Sequence, residues 1–205
     1  MKLLSSFCLV VFLLVPGVCR AEDIEGYQDI KFGMSLEEVT NVLKNRGAVV
    51  NDIAFMKSLS LYLDHSESFP GFENNYWDKV SKADAYIDNS GLTLKGFKIV
   101  NFDPTFSGVS SVILYKNRVV FIHVNKPLGT NMKDINSVLN DKYGPTVHGP
   151  FDGNQYIKGN GAIRSLPSPD IIYYNLPILR ECSEDLIKAA NELKAKSTNA
   201  ATKGL

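Results

Sequence analysis

The sequence predicts an α+β protein in which helices pack on one face of an antiparallel sheet. Two observations lead to this fold class. A phrase with the pattern of an amphipathic helix occurs twice, as FGMSLEEVTNVLKNRG at residues 32–47 and as LGTNMKDINSVLNDKY at residues 128–143. Stretches rich in β-branched and aromatic residues follow each copy. A helix followed by several strands, twice over, favours α+β over a parallel α/β sheet.

The first copy carries signals for both ends of a helix. Ser35 can accept a hydrogen bond from the helix N-terminus, and Glu38 follows three residues later, as in a capping box. Gly47 is placed to end the helix in the left-handed conformation. Apolar residues recur between them at helical spacing: Leu36, Val39, Val42 and Leu43.

The second copy has the same layout. Asn131 takes the cap position, Asp134 takes the position of Glu38, and Gly144 with Pro145 ends the helix. Its apolar stripe consists of Met132, Ile135, Val138 and Leu139. A glycine precedes each cap by two residues, which favours a tandem repeat of a helix-then-strands unit. The alternative is that two capped amphipathic helices look alike without common origin.

Strands are predicted between and after the two copies. Residues 111–124 form a hairpin that turns at Lys116 and Asn117. Further strands are expected at residues 92–102, 109–115, 155–158, 162–166 and 171–175. The pattern favours a helix at residues 51–65, an aromatic-rich loop at residues 69–77 and a final helix at residues 183–196 capped by Ser183.

The N-terminal residues 1–21 have the order of a secretory signal peptide. Lys2 is followed by an apolar run of residues 3–15 that is broken only by Ser5 and Ser6, and Ala21 supplies a small residue at the expected cut. The run is shorter than the roughly 20 residues that span a bilayer. The mature chain is therefore expected in the periplasm or secreted, without a transmembrane segment. Lipid attachment at Cys19 is the alternative, disfavoured by the bulky Val18 before it.

After cleavage the chain divides into two units and a tail. Residues 22–127 form the first α+β unit, residues 128–196 the second unit with the C-terminal helix, and residues 197–205 a flexible tail. Cys182 is then the one cysteine left, so no internal disulfide can form.

Composition and motifs narrow the classes of function. The chain has 22 Lys and Arg against 22 Asp and Glu with no basic stripe, which gives no electrostatic basis for binding nucleic acid. No phosphate loop, zinc-protease, CxxC or GxSxG motif occurs. The sequence therefore predicts no catalytic residue, no metal site and no cofactor.

Two groups of residues are candidates for contact or reactivity. Aromatic residues on the loop and residues of the hairpin are candidate contacts with a protein partner: Phe72, Tyr76, Trp77, Tyr115, Phe121 and His123. The loop aromatics could equally fold back and cover an edge of the sheet. Cys182 is a candidate reactive thiol, because it precedes the predicted final helix. The alternative is a small apolar residue packed under that helix.

The pattern I-x-F-G-M-S-x-x-E-V-x-x-x-L at residues 30–43 resembles the opening helix of two related groups of envelope proteins. One is the small lipoprotein of the outer-membrane β-barrel assembly machine, and the other is the secreted β-lactamase-inhibitor protein with two tandem units. This resemblance implies a non-enzymatic module that binds another envelope or secreted protein. The inhibitor's disulfides and a convincing lipid-attachment box are absent here, so neither specific function transfers.

Several roles remain open within and beyond that class. The binding module could be an inhibitor, an immunity or exclusion factor, or an envelope-assembly factor. An unfamiliar cell-envelope hydrolase using His65 or Cys182 is a second possibility. A small-ligand carrier with a pocket between sheet and helices is a third.

Overall fold

The computed structural model describes residues 22–54, 72, 75–90, 96–105, 108–127, 129–148, 154–166 and 170–203, so the predicted signal peptide lies outside the described residues. The elements in chain order are β1 (Gly26–Tyr27), β2 (Ile30–Lys31), α1 (Leu36–Asn45), β3 (Val50–Ala54), α2 (Tyr76–Asn89), β4 (Phe97–Thr105), β5 (Gly108–Tyr115), β6 (Arg118–Asn125), α3 (Met132–Tyr143), β7 (Val147–His148), β8 (Asn154–Lys158), β9 (Gly161–Ser165), β10 (Asp170–Asn175) and α4 (Leu176–Lys203). The predicted α+β class with an antiparallel sheet is confirmed.

The main sheet has eight strands in the order β3-β4-β5-β6-β10-β9-β8-β7, and every neighbouring pair is antiparallel. Residues before position 128 supply one half of this sheet and later residues supply the other. The order is symmetric about the pairing of β6 with β10. Strands β1 and β2 form a separate two-stranded sheet. The symmetric order is compatible with a repeated unit, while the tandem repeat itself stays a prediction.

Helices cover both faces of the main sheet, whereas the sequence suggested only one. Residues of α1 and α3 share a core cluster with one set of strand residues, and residues of α2 and α4 share a second cluster with the other set. Strand β5 shows the alternation: Val112 and Leu114 belong to the first cluster, Ile113 and Tyr115 to the second. Because the hairpin strands are apolar at consecutive positions, both faces must be shielded from water. We call these faces the α1/α3 face and the α2/α4 face.

The ends of α1 follow from its sequence. The Ser35 hydroxyl accepts from the N–H of Glu38 at 3.3 Å, and the Glu38 carboxylate accepts from the N–H of Ser35 at 2.7 Å. At the other end Gly47 has φ +69°, and the N–H of Ala48 donates to the carbonyl of Leu43 at 3.0 Å. This pairing, together with Gly47 N–H to Lys44 O, is a Schellman motif. The predicted capping box and glycine stop are confirmed.

The ends of α3 and the turn of the hairpin are also confirmed. The Asn131 side chain accepts from the N–H of Lys133 at 3.1 Å, and Gly144 follows the last turn with φ +90°. Lys116 and Asn117 have φ +48° and +62°, as a two-residue hairpin turn requires at both positions. Strands β8, β9 and β10 lie within one residue of their predicted bounds.

The region between β3 and β4 differs from its prediction. Residues 51–54 belong to strand β3 instead of a helix, and the rest of that predicted helix lies outside the described residues. Tyr76 and Trp77 begin α2 instead of ending a loop. The sequence does contain the stripe of α2, because Tyr76, Val80, Ala83 and Ile87 recur at helical spacing. Asn75 caps the helix without a side-chain hydrogen bond, so its start signal is weak.

The final helix is longer at both ends than predicted. Asn175 is its cap, because its side-chain oxygen accepts from the N–H of Ile178 at 2.9 Å. Pro177 is tolerated in the first turn, where backbone N–H groups have no partner within the helix. Ser183 therefore lies inside α4, where it is fully buried. The helix continues through Lys203, so residues 197–203 of the predicted tail are helical, while the flexibility of the tail stays a prediction.

Candidate functional site

A row of mostly polar residues crosses the α2/α4 face from β4 to β8. Residues paired directly across antiparallel strands point to the same face of a sheet. The pairing register aligns Asn101, Ser111, His123, Ile172, Arg164 and Gln155. We call this set the polar row.

The adjacent row on the same face is entirely apolar. It consists of Ile99, Ile113, Phe121, Tyr174, Ala162 and Ile157. All of its members belong to, or pack against, the cluster that contains the buried residues of α2 and α4. The two helices are therefore packed over the apolar row, and Ile172 of the polar row belongs to the same buried cluster.

A His–Asp–Asn group lies on this face, where the polar row crosses the two central strands β6 and β10. The Nε2 atom of His123 is 2.9 Å from the Oδ1 atom of Asp170, and the Asn125 amide donates to the same oxygen at 2.8 Å. Asn125 and Asp170 are directly paired between β6 and β10. The side chains of His123 and Asp170 are 21% and 24% exposed. The contact with Asp170 fixes the orientation of the imidazole while part of it remains accessible.

The neighbouring polar groups form a rigid base for this group. The Ser111 hydroxyl donates to the Asn101 side chain at 2.8 Å, and the Ser110 hydroxyl accepts from the N–H of Asn125 at 3.1 Å. Ser111 and Gln155 are buried, whereas Asn101 and Arg164 are half-buried. Burial of a polar group is unfavourable unless the group is hydrogen-bonded. These hydrogen bonds therefore offset the cost of burying polar side chains within the sheet.

The candidate contact residues Phe72, just before α2, and Tyr76, its first residue, fold back onto the protein. The rings of Phe72 and Tyr76 meet edge to face with centroids 4.9 Å apart, and both pack against the α2/α4 cluster. The Tyr76 hydroxyl donates to the carbonyl of Arg180 at 3.2 Å, and the Arg180 guanidinium lies 4.8 Å from the Phe72 ring. Burial raises the pKa of Tyr76 to about 12. These aromatics hold α2 against α4; the side chain of Trp77 lies outside the described part.

Two of the candidate contacts on the sheet lie in the core instead of on a surface. Tyr115 is 3% exposed and Phe121 is fully buried. Tyr115 packs on Phe97 and donates its hydroxyl to Asp185, while Phe121 meets Tyr174 edge to face. Their placement follows from the second helix layer, which the consecutive apolar residues of the hairpin could have indicated. Of the three sheet candidates, His123 is the one that reaches solvent.

Cys182 occupies the interior of a helix instead of the position before its N-terminus. It is 1% exposed, and its thiol donates to the carbonyl of Leu179 at 3.1 Å. Burial raises the pKa of the thiol to about 12, which disfavours the thiolate. The geometry is that of the alternative reading, a small apolar residue packed under α4.

Polar and charged side chains of the hairpin turn contact both helix layers. Lys116 contacts Asp185 at 2.6 Å, and Arg118 contacts Glu181 at 2.6 Å. Hydrogen bonds from Lys116 to Asp185 and from Arg118 to Glu181 lower the pKa of each carboxyl group. On the other side, the Asn117 side chain accepts from the N–H of Leu36 at 3.1 Å. These contacts join the hairpin turn to α4 on one face of the sheet and to α1 on the other.

Within the described ranges no group of three or more His, Cys, Asp and Glu side chains could hold a metal ion. No helix in that part of the chain combines the length and apolar character needed to cross a bilayer.

No protein-family model, curated protein or solved structure matches the chain.

Proposed function

We propose that the protein is a secreted, non-enzymatic protein-binding module of the bacterial envelope, and that its partner binds at the polar row. The observation that carries this proposal is the His123–Asp170–Asn125 group, which is held on the two central strands of an eight-stranded sheet with the side chains of His123 and Asp170 partly exposed. A contact group that is already ordered loses little conformational entropy when it binds.

The size of the row favours a macromolecular partner. It runs across six adjacent strands, and neighbouring strands are about 4.8 Å apart, so the row is roughly 24 Å long. That length suits a protein interface of about 800 Å² per partner better than a small-molecule pocket. Three half-buried side chains offer both donors and acceptors along it, Asn101, His123 and Arg164, and Asp170 lies beside His123.

The sequence adds independent support for the class. The helix pattern at residues 30–43 resembles envelope proteins that act by binding other proteins, and residues 1–21 have the order of a signal peptide. An inhibitor, an immunity or exclusion factor and an assembly factor all fit such a surface. The experiment below identifies the partner and so separates these roles.

Site-specific photocrosslinking tests the proposal. A photoreactive amino acid replaces His123 or Arg164 in the full chain, expressed with its leader in bacterial cells. Val138 is the matched control, because it is 64% exposed on α3, which packs on the opposite face. We expect one adduct of discrete mass from positions 123 and 164 and none from 138. Identical adducts from all three positions, or none from the row, would contradict the proposal.

Binding of the purified partner then quantifies the contact. His123→Ala should weaken the affinity at least about tenfold, the loss expected for an interface hot spot. Val138→Ala should leave the affinity unchanged. Unaltered affinity of the His123 variant would mean that the partner binds elsewhere.

A hydrolase is the second candidate, because the His123–Asp170 contact resembles the base and orienting acid of a catalytic triad. Ser111 is directly paired with His123 across β5 and β6 and would be the nucleophile. Its hydroxyl is bonded to Asn101 and the residue is only 3% exposed, which favours binding over catalysis. Turnover of ester or cell-wall substrates that is lost in both His123→Ala and Ser111→Ala would establish the hydrolase instead.

A further inference from the structure

The first described residues are fixed to the second half of the chain. The backbone N–H of Glu22 donates to the carbonyl of Lys142 at 3.1 Å, and the Glu22 carboxylate lies 3.4 Å from the Lys142 ammonium. The N–H of Ile24 donates to the carbonyl of Lys158 at 3.5 Å. Residues 22–24 thus contact the C-terminal end of α3 and the β8–β9 turn.

Ile24 is buried in the core and packs closely against the backbone of Gly161. Ile24 is 2% exposed and belongs to the core cluster of the α1/α3 face. A Cβ atom on Gly161 would lie 2.1 Å from the carbonyl oxygen of Ile24 and 2.7 Å from its side chain. Glycine is needed at position 161 because the two backbones approach so closely. The body of the fold therefore includes residue 24 and reaches back to residue 22.

The backbone nitrogen of Glu22 lies at the negative end of the dipole of α3. Lys142 lies in the last turn of α3, and the carbonyls of a last turn have no hydrogen-bond partner within their helix. A positive charge placed there is stabilised by the dipole and by a charge-assisted hydrogen bond. An amide N–H at Glu22 brings one donor and no charge, whereas a chain terminus at Glu22 would bring an ammonium group with three donors.

We propose that cleavage between Ala21 and Glu22 creates this terminus, so that removal of the leader places an ammonium group on the C-terminal end of α3. In the cleavage, water adds its hydroxyl to the carbonyl carbon of Ala21 and a proton to the nitrogen of Glu22. The freed amine takes a second proton from solvent at neutral pH. The inference rests on the export in the proposed function. It does not depend on the polar row or on any partner.

The competing modification has a different consequence at the same position. Lipid attachment at Cys19 would begin the chain three residues earlier, and the nitrogen of Glu22 would remain an uncharged amide. The dipole of α3 would then gain no charge from processing. The mature chains from the two routes differ in mass and in thermal stability, and both quantities can be measured.

Intact-mass measurement is the first test. The full chain is expressed with its leader and recovered from the cell envelope or medium. We expect the mass of residues 22–205 with an unmodified terminus. A chain that starts at Cys19 with acyl groups, keeps its leader or starts beyond Ile24 would overturn the proposal.

Thermal stability is the second test, and it needs no export. A chain that begins at Glu22 is released from a removable tag and compared with the same chain extended by Ala21. A third sample carries an acetyl group on the Glu22 nitrogen alone. At low ionic strength we expect the Glu22 chain to melt about 1–4 °C higher than the other two. The difference should shrink in about 1 M salt because the charge is screened.

The outcomes of the two tests separate the claims. Equal melting temperatures of the three chains at low salt would overturn the role of the ammonium group, whatever the crosslinking at position 123 shows. A Glu22 terminus without a partner at the polar row would leave this inference standing and remove the proposed function.

Discussion

Helices α1 and α3 come from nearly the same phrase and contact the same core, yet they are buried to different depths. Val39 and Leu43 of α1 are fully buried, whereas on α3 the deepest residue is Leu139, at 6% exposed. The sequence aligns Val42 with Val138. Val42 packs against the core, but Val138 is 64% exposed. The same apolar spacing has produced a deeply seated helix in one half and a shallower one in the other.

The difference comes from the chain around each helix. The residues just before α1 are hydrogen-bonded to β6. The N–H of Gly33 donates to the carbonyl of Val119 at 3.1 Å, and the N–H of Val119 donates to the carbonyl of Met34 at 2.9 Å. Asn117 then accepts from the first turn of α1. On α3, the Tyr156 hydroxyl donates to the carbonyl of Asn136 at 3.2 Å. An apolar stripe thus selects the face of a helix that is buried, and neighbouring strands set how deeply.

The largest expected effect is at the paired leucines. Leu43→Ala should cost about 4 kcal/mol of unfolding free energy and Leu139→Ala about 2, because the cost of a core cavity falls as the site becomes more open to solvent. Urea denaturation of both variants measures the difference. Equal losses would mean that the two helices are equally seated.

The second largest effect should be a difference in stability between variants of the paired valines, Val42 and Val138. Val42→Lys should cost about 1–2 kcal/mol through loss of its packing on the core, while Val138→Lys should stay within about 0.5 kcal/mol. Thermal melting of the two variants at one salt concentration provides the comparison. A Val138 variant as unstable as the Val42 variant would contradict the exposed position of Val138.

The caps should differ less. Ser35→Ala should cost about 1 kcal/mol and remove a reciprocal pair of hydrogen bonds. Asn131→Ala removes one bond, to the N–H of Lys133, and should cost about half as much. Chemical denaturation measures this difference in the free energy of unfolding. Replacement of each cap by Gly is the control, because Gly lacks the side chain but is itself well accepted at an N-cap. A larger loss at Asn131 would reverse the ranking.

The smallest effect should appear at acid pH. The N–H of Ser35 donates to the Glu38 carboxylate and lowers the pKa of Glu38 below its ordinary value of 4.5. The stabilisation is therefore complete above pH 4.5 and is lost as the pH falls through the lower folded value. Glu38→Gln should flatten the stability profile between about pH 5 and pH 3. Melting temperatures across that range test it; profiles that overlap would exclude a contribution from Glu38.

Features decided within a few residues could be predicted from the sequence. The capping box at Ser35, the glycine stop at Gly47 and the turn at Lys116 and Asn117 all depend on short-range hydrogen bonds and backbone angles. Where the local signal was ambiguous, the prediction failed. Ser183 has the residue type of a cap, but the true cap is Asn175, followed by Pro177 in the first turn.

The candidate site could not be predicted in this way, because it depends on residues that are far apart in the sequence. His123 was visible as a polar residue in an apolar strand, but its partner Asp170 lies 47 positions later. Nothing local links the two, since their contact is created by the pairing of β6 with β10. Tyr115 and Phe121 were misplaced for the same reason: the sequence shows that they are apolar, and only the second helix layer shows that they are covered.

By itself the sequence determined the α+β class, the caps of α1 and α3 and the hairpin between β5 and β6. These depend on side-chain period, turn conformation and hydrogen bonds between near neighbours. The tertiary structure alone decided which face each helix covers, how deeply α1 and α3 are seated and which side chains form the polar row. Strand register and layer packing bring together residues that are far apart in the chain, and no short stretch of sequence specifies them.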